Sequence, residues 1–121
     1  MEKKVMITRM NGVKEQEVDT EARYSLEEEL QIIKSIQQGG KERDTAIEKL
    51  AQSRLRFVTA VAKKYANNSL SMDELIKVGN KGLVLAAENF DESRGFKFIP
   101  YAIWWVRQSI EKEIEKLNNQ E

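Results

Sequence analysis

Apolar residues recur along this chain at spacings of three and four with polar residues between them, the period of helices packed on one side. Ser25 followed by Glu28 forms a capping box, and Leu26, Leu30, Ile33 and Ile36 continue from it to a stop at Gly39-Gly40. A second, longer helix is predicted from about Asp44 to Ala66, with the apolar face Ile47, Leu50, Leu55, Val58, Val61, Ala62 and Tyr65, ended by Asn67-Asn68. Ser71 with Glu74 is a second capping box, opening a helix through Leu75, Ile76, Leu83 and Ala87 to about Asn89. Phe90 to Lys97 reads as a polar loop around Gly95. The last helix is predicted from about Ile99 to Leu117, with Pro100 at its first position, where a missing N–H is harmless. With no strand signal and no repeat, the predicted fold class is all-α. It is a single-domain helical bundle of about four helices over residues 25–118, with 1–24 as an N-terminal arm or short helix and 119–121 as a tail.

One stretch resists that pattern. Residues 94–109 place both tryptophans, a tyrosine and two phenylalanines among basic and amide side chains. The last helix has an apolar stripe, Ala102, Val106, Ile110, Ile114 and Leu117 with Ile103. Tyr101, Trp104, Gln108 and Lys112 fall on a different row, largely outside it and flanked by Lys97 and Arg107. Trp105 is expected to be partly core. Flat π faces beside cations suit stacking on unpaired bases, each worth about 1–3 kcal/mol.

Composition narrows the choices. The 20 basic and 20 acidic residues cancel, so no global polycation attracts nucleic acid and a local patch must do it. Absence of Cys and His removes thiol chemistry, disulfides, imidazole bases and nearly every zinc site. There is no phosphate-binding Gly-Lys-Ser/Thr loop, and Asp73 and Glu74 are neighbours that point apart, so the chain is expected not to be an enzyme and to need no cofactor or metal. No apolar run of about 18 residues and no signal peptide is present, and the plain expectation is a cytoplasmic protein with no membrane and no small-molecule substrate. Charge is uneven: 51–66 carries Arg54, Arg56, Lys63 and Lys64 with no acid, whereas 71–92 carries Asp73, Glu74, Glu88, Asp91 and Glu92 against Lys77 and Lys81. Two partners on two surfaces fit that better than one.

The run from Arg54 to Ile110 opens with Arg-Leu-Arg-Phe-Val-Thr-Ala-Val-Ala-Lys-Lys-Tyr. It passes through Gly-Phe-Lys-Phe and closes with Tyr-Ala-Ile-Trp-Trp-Val-Arg-Gln-Ser-Ile. It closely resembles region two of housekeeping-type bacterial sigma factors, the RNA polymerase subunits that recognise and open the promoter −10 element. Residues 25–53 resemble the preceding segment more weakly. The resemblance implies a surface for the clamp helices of the largest subunit of core RNA polymerase. It maps to Glu74, Lys77, Val78, Asn80 and Lys81, with Gly79 and Gly82 permitting close helix approach. It also implies a site for the melted non-template strand of promoter DNA. A flipped adenine would enter near Asp91, Arg94, Phe96 and Tyr101; Trp104 and Trp105 would wedge against the last base pair, which Gln108 would help read. A downstream base would lie at Arg54, Phe57 and Ala60, and Lys63, Lys64, Lys97, Arg107 and Lys112 would neutralise phosphates.

The departures from the family pattern are specific. Pro100 stands where threonine is usual, Arg54 replaces asparagine, and Glu111 replaces a small hydroxyl residue. Lys77 and Val78 replace an amide and a carboxylate. The later regions that read the −35 element are not in this sequence, so the expectation is an excised domain or a free-standing region-two protein. The leading function is therefore promoter recognition and strand capture. The alternative is a clamp-binding regulator that competes with sigma factors and opens no promoter.

Overall fold

A computed structural model describes residues 23–66 and 69–119. Within them lie five α-helices: α1 (Leu26–Gln38), α2 (Arg43–Ser53), α3 (Leu55–Lys63), α4 (Met72–Asn89) and α5 (Phe98–Asn119), with short 3-10 turns at Gly40–Glu42 and Glu92–Arg94. No strand occurs among the described residues, so the all-α expectation holds. None of their helices is long and apolar enough to cross a membrane. The proposed arm and the Asn67-Asn68 stop lie almost wholly outside the described residues.

Both capping boxes form. Ser25 Oγ accepts from the Glu28 N–H at 3.1 Å while Glu28 accepts from the Ser25 N–H at 2.9 Å. Ser71 and Glu74 repeat this at the head of α4, where the two bonds from Ser71 hold the Glu74 carboxyl below its ordinary range. α1 ends where Gly39 and Gly40 take φ of 75° and 78°, a region open to glycine alone at no steric cost. The ends of α1 and α4 are then satisfied from neighbouring helices. Arg43 donates to the Ile36 carbonyl at 2.8 Å and pairs with Glu88, and Gln37 donates to the carbonyls of Ala87 and Phe90 at 2.9 and 2.8 Å.

The predicted long helix from Asp44 to Ala66 is two helices. They break at Arg54, whose φ of −117° and ψ of 20° leave the helical region. Ser53 donates its hydroxyl back to the Leu50 carbonyl at 3.0 Å, and that carbonyl also accepts from the Arg54 N–H at 3.0 Å. The Arg54 guanidinium is meanwhile held by both oxygens of Glu29, at 2.7 and 2.8 Å. Leu55, expected on the core face, follows the break and is 47% exposed. Pro100 is the third residue of α5 and not the first. The reasoning survives the shift, because the helix ladder starts with the Tyr101 N–H on the Lys97 carbonyl.

The core is sealed by Ile33, Ile36, Leu50, Val58, Leu75, Leu83, Val106 and Ile110, drawn from all five helices. α4 and α5 make its most extensive contact. Gly79 and Gly82 face that seam and not an outside partner, which corrects the expectation placed on them. A Cβ on Gly82 would lie 2.7 Å from both the Trp105 carbonyl oxygen and Val106 Cα, and one on Gly79 would lie 2.8 Å from Val58 Cγ1. Gly82→Ala must push the α5 backbone away, so we expect a net loss of about 2 kcal/mol despite the roughly 1 kcal/mol that alanine adds to helix propensity. The melting temperature should fall by about 10 °C, and by less for Gly79→Ala, whose clash is with a side-chain methyl. An unchanged melting curve for Gly82→Ala would mean the seam has slack.

Candidate nucleic-acid interface

The loop between α4 and α5 is built by local bonds. Asp91 accepts from the Ser93 N–H at 3.0 Å and from its hydroxyl at 2.6 Å, which holds the Asp91 carboxyl below its usual range. Gly95 then takes the left-handed conformation at φ 86° and turns the chain into α5. This presentation leaves Phe96 54% exposed, with its ring nearly parallel to that of Tyr101 (11°, centroids 6.3 Å apart) and the Arg94 guanidinium carbon 5.9 Å from its centroid. Phe96, Lys97, Pro100, Tyr101 and Trp104 line an open recess of about 290 Å³.

The two faces of Tyr101 do different work. Its ring packs on the buried Phe90, and its hydroxyl donates to the Asn89 carbonyl at 3.1 Å, so it anchors the recess to the end of α4. Trp104 and Trp105 meet edge to face at 5.3 Å, but Trp104 is 57% exposed while Trp105 is half-buried with its Nε1 unpaired. The expected division between the two tryptophans is therefore seen. Further along α5, Arg107 and Lys112 are exposed and Gln108 is half-buried. Tyr65, from the turn after α3, donates its hydroxyl to Glu111 and accepts from Arg107 Nε at 3.3 Å.

Not all of the predicted strand-binding residues meet here. Asp91 lies in the supporting loop and its Oδ1 serves Ser93. Phe57 packs half-buried against the core, whereas Ala60, Lys63 and Lys64 are exposed on or just after α3. Arg54 is engaged by Glu29, a residue only 4% exposed. Chemically the recess offers stacking faces and one lysine, with the Arg94 guanidinium near the Phe96 ring.

A second concavity, of about 440 Å³, runs along the outer side of α4 and is lined by Ile47, Lys77, Asn80, Lys81, Val84, Leu85 and Glu88. It contains three of the five residues expected to meet the polymerase. Glu74 is tied into its capping box and Val78 packs against the core, so neither lines it. Asn80 lines the groove, but its Oδ1 is buried and has no hydrogen-bond partner. Sequence reasoning missed Ile47, Val84, Leu85 and Glu88. The available signal was Leu85, which stands i+4 from Lys81 and i+8 from Lys77, off the core stripe, and is 40% exposed.

Known proteins resemble this chain over the same segment. The chain is 41% identical to the RNA polymerase sigma factor SigA of Lactococcus lactis subsp. cremoris over 90 residues, which is 74% of this chain and 25% of that protein. It is 52% identical to SigA of Microcystis aeruginosa over 69 residues, 57% of this chain and 17% of the relative. For SigA of Nostoc sp. the identity is 51% over 69 residues, 57% of this chain and 18% of the relative. The chain thus spans a quarter or less of the length of these relatives. The sigma-70 region 2 profile matches residues 50–120, from the end of α2 through α3, α4, the aromatic loop and α5, and with more than half of its length so matched the chain belongs to the sigma-70 region 2 family.

Proposed function

We propose that this chain is a promoter-recognition module that binds core RNA polymerase and captures the melted non-template strand of the −10 element. The observation that carries the reading is the exposure of Phe96 and Trp104, two large π faces left in water beside Arg94 and Lys97. Core packing gives no reason for them, whereas stacking on unpaired bases does. A base taken from the duplex loses a few kcal/mol of stacking, which a preformed recess offsets. Trp105 sits behind Trp104 as its support, and Gln108, Arg107 and Lys112 continue the row toward the duplex. The groove on α4 is the contact for the polymerase's clamp helices, with Lys77 and Lys81 at its rim and Asn80 as the polar group inside. The activity is binding and strand separation, with no covalent step and no cofactor, and it belongs to the cytoplasm.

The test is fluorescence anisotropy of a labelled non-template −10 oligonucleotide and a scrambled control, titrated with the chain bound to core polymerase and with core alone. A preference of at least about tenfold for the −10 sequence is expected, since a wrong base typically costs about 1–3 kcal/mol. Equal affinity for the two oligonucleotides would favour the clamp-occupying regulator instead. One observation already leans toward weak DNA binding: the Glu111 carboxylate stands beside Arg107 on the proposed DNA side of α5.

A further inference from the structure

The cluster formed by Tyr65, Arg107 and Glu111 has a job that strand capture alone does not assign. Trp104, Arg107 and Glu111 are spaced i, i+3, i+7 and share one side of α5. Arg107 precedes Glu111 by four residues, the weaker order for a helical ion pair, and the Nη2 to Oε2 distance is a loose 4.0 Å. What holds the pair together comes from outside the helix. The Tyr65 hydroxyl donates to Glu111 Oε2 and accepts from Arg107 Nε at 3.3 Å, so it bridges guanidinium to carboxylate. Burial first, and then the Glu111 bond, pushes the Tyr65 phenol above its ordinary 10.0, so at neutral pH it keeps the proton it donates. Both ends of the bridge stay open to water, with the Arg107 side chain 54% and the Glu111 side chain 45% exposed.

A carboxylate accepting from a phenol beside a guanidinium stands where a phosphate oxygen would stand, using the same two donors. We propose that Glu111 is a built-in competitor for nucleic-acid phosphate: it occupies Arg107 and Tyr65 until a strand docked on the neighbouring aromatic recess displaces it. The inference rests on the strand-capture reading above. Its consequence is selectivity. With Glu111 in place, Arg107 adds little attraction for polyanions in general, and a strand gains that contact only once its bases are seated beside Trp104. The overall balance of 20 basic and 20 acidic residues points the same way, because this chain does not rely on bulk charge.

A double-mutant cycle of Glu111→Gln and Arg107→Ala tests it, read as affinity of the whole chain for a labelled single-stranded oligonucleotide over a series of salt concentrations. Glutamine still accepts from Tyr65 but carries no charge. Glu111→Gln is expected to tighten binding about fivefold at low salt and to steepen the log–log salt slope by about 0.7, one more phosphate neutralised. In the Arg107→Ala background that gain should vanish. An unchanged or weaker affinity for Glu111→Gln overturns the proposal. So does a gain of full size without Arg107, which would reduce Glu111 to simple repulsion. A fall in melting temperature of more than about 8 °C for Glu111→Gln would also overturn it, by making the cluster a structural clasp. Trp104→Ala separates the two readings. If it leaves binding unchanged while Glu111→Gln still tightens it, Glu111 opposes phosphate at Arg107 but no strand is seated on the recess, and strand capture falls together with the selectivity drawn from it. If it weakens binding while Glu111→Gln has no effect, strand capture stands and the competitor alone falls.

Discussion

Replacing Phe96 and Trp104 together by alanine is expected to weaken binding of the single-stranded −10 oligonucleotide about hundredfold. Each stacked base contributes about 1–3 kcal/mol, and tenfold in affinity corresponds to about 1.4 kcal/mol. These two residues make a cleaner test than Tyr101. Tyr101 packs on Phe90 and bonds to the Asn89 carbonyl, so truncating it damages the end of α4 as well as the recess. Phe96 and Trp104 are more than half exposed, and removing them opens no cavity in the core. The melting temperature of the double variant should therefore stay within about 3 °C of the parent, because surface substitutions usually fall within about 0.5 kcal/mol. Each single replacement should lower affinity by about tenfold. A double variant that binds the oligonucleotide as the parent does would remove the aromatic recess from the mechanism, leaving family membership and the α4 groove as the remaining clues to function.

That test could be framed from the sequence because its signal is local. Tyr101 and Trp104 fall off the apolar stripe of α5 by simple helical spacing, and the structure leaves Trp104 outside and Trp105 half inside. The capping boxes at Ser25 and Ser71 were legible for the same reason, since donor and acceptor are three residues apart. What the sequence hid depends on contacts between distant residues. The Arg54 guanidinium, at the break, meets Glu29, 25 positions earlier. The restraint on Arg107 needs Tyr65, which meets Glu111 across 46 positions. The groove on α4 needs Ile47 from α2 to close one side of it. Gly79 and Gly82 were recognised as close-approach glycines, but spacing alone could not say whether the approaching helix was α5 or a partner's. Periodicity reports which residues share a face, not which neighbour that face meets.

The Glu29–Arg54 pair carries the largest expected effect on stability, and its two halves should behave unequally. Glu29 is 4% exposed, and both its oxygens accept from Arg54, whose own side chain keeps 31% of its surface in water. Arg54→Ala leaves a carboxylate buried without its cation, which typically costs about 3–5 kcal/mol. For a domain of this size that lowers the melting temperature by about 20 °C. Glu29→Ala leaves a guanidinium that can turn to solvent, so the loss should be smaller, about 2 kcal/mol. Glu29→Leu combined with Arg54→Met removes both charges and keeps apolar bulk, and it should recover most of what Arg54→Ala loses, because a well-packed apolar pair often equals a buried ion pair. Thermal melts of the three variants decide the matter by their order. If Glu29→Ala proved as damaging as Arg54→Ala, the asymmetry of burial would not govern the pair. If Arg54→Ala were harmless, the pair would not be what fixes the break between α2 and α3. The same pair bears on function, because it sits at the junction of α2 with α3, the helix that carries Phe57, Ala60 and Lys63, with Lys64 just after it. In the strand-capture reading Arg54, held by Glu29, then acts by positioning α3 and not by contact with the strand, so the Glu29→Leu, Arg54→Met variant, which removes its charge, should leave the salt slope of oligonucleotide binding unchanged.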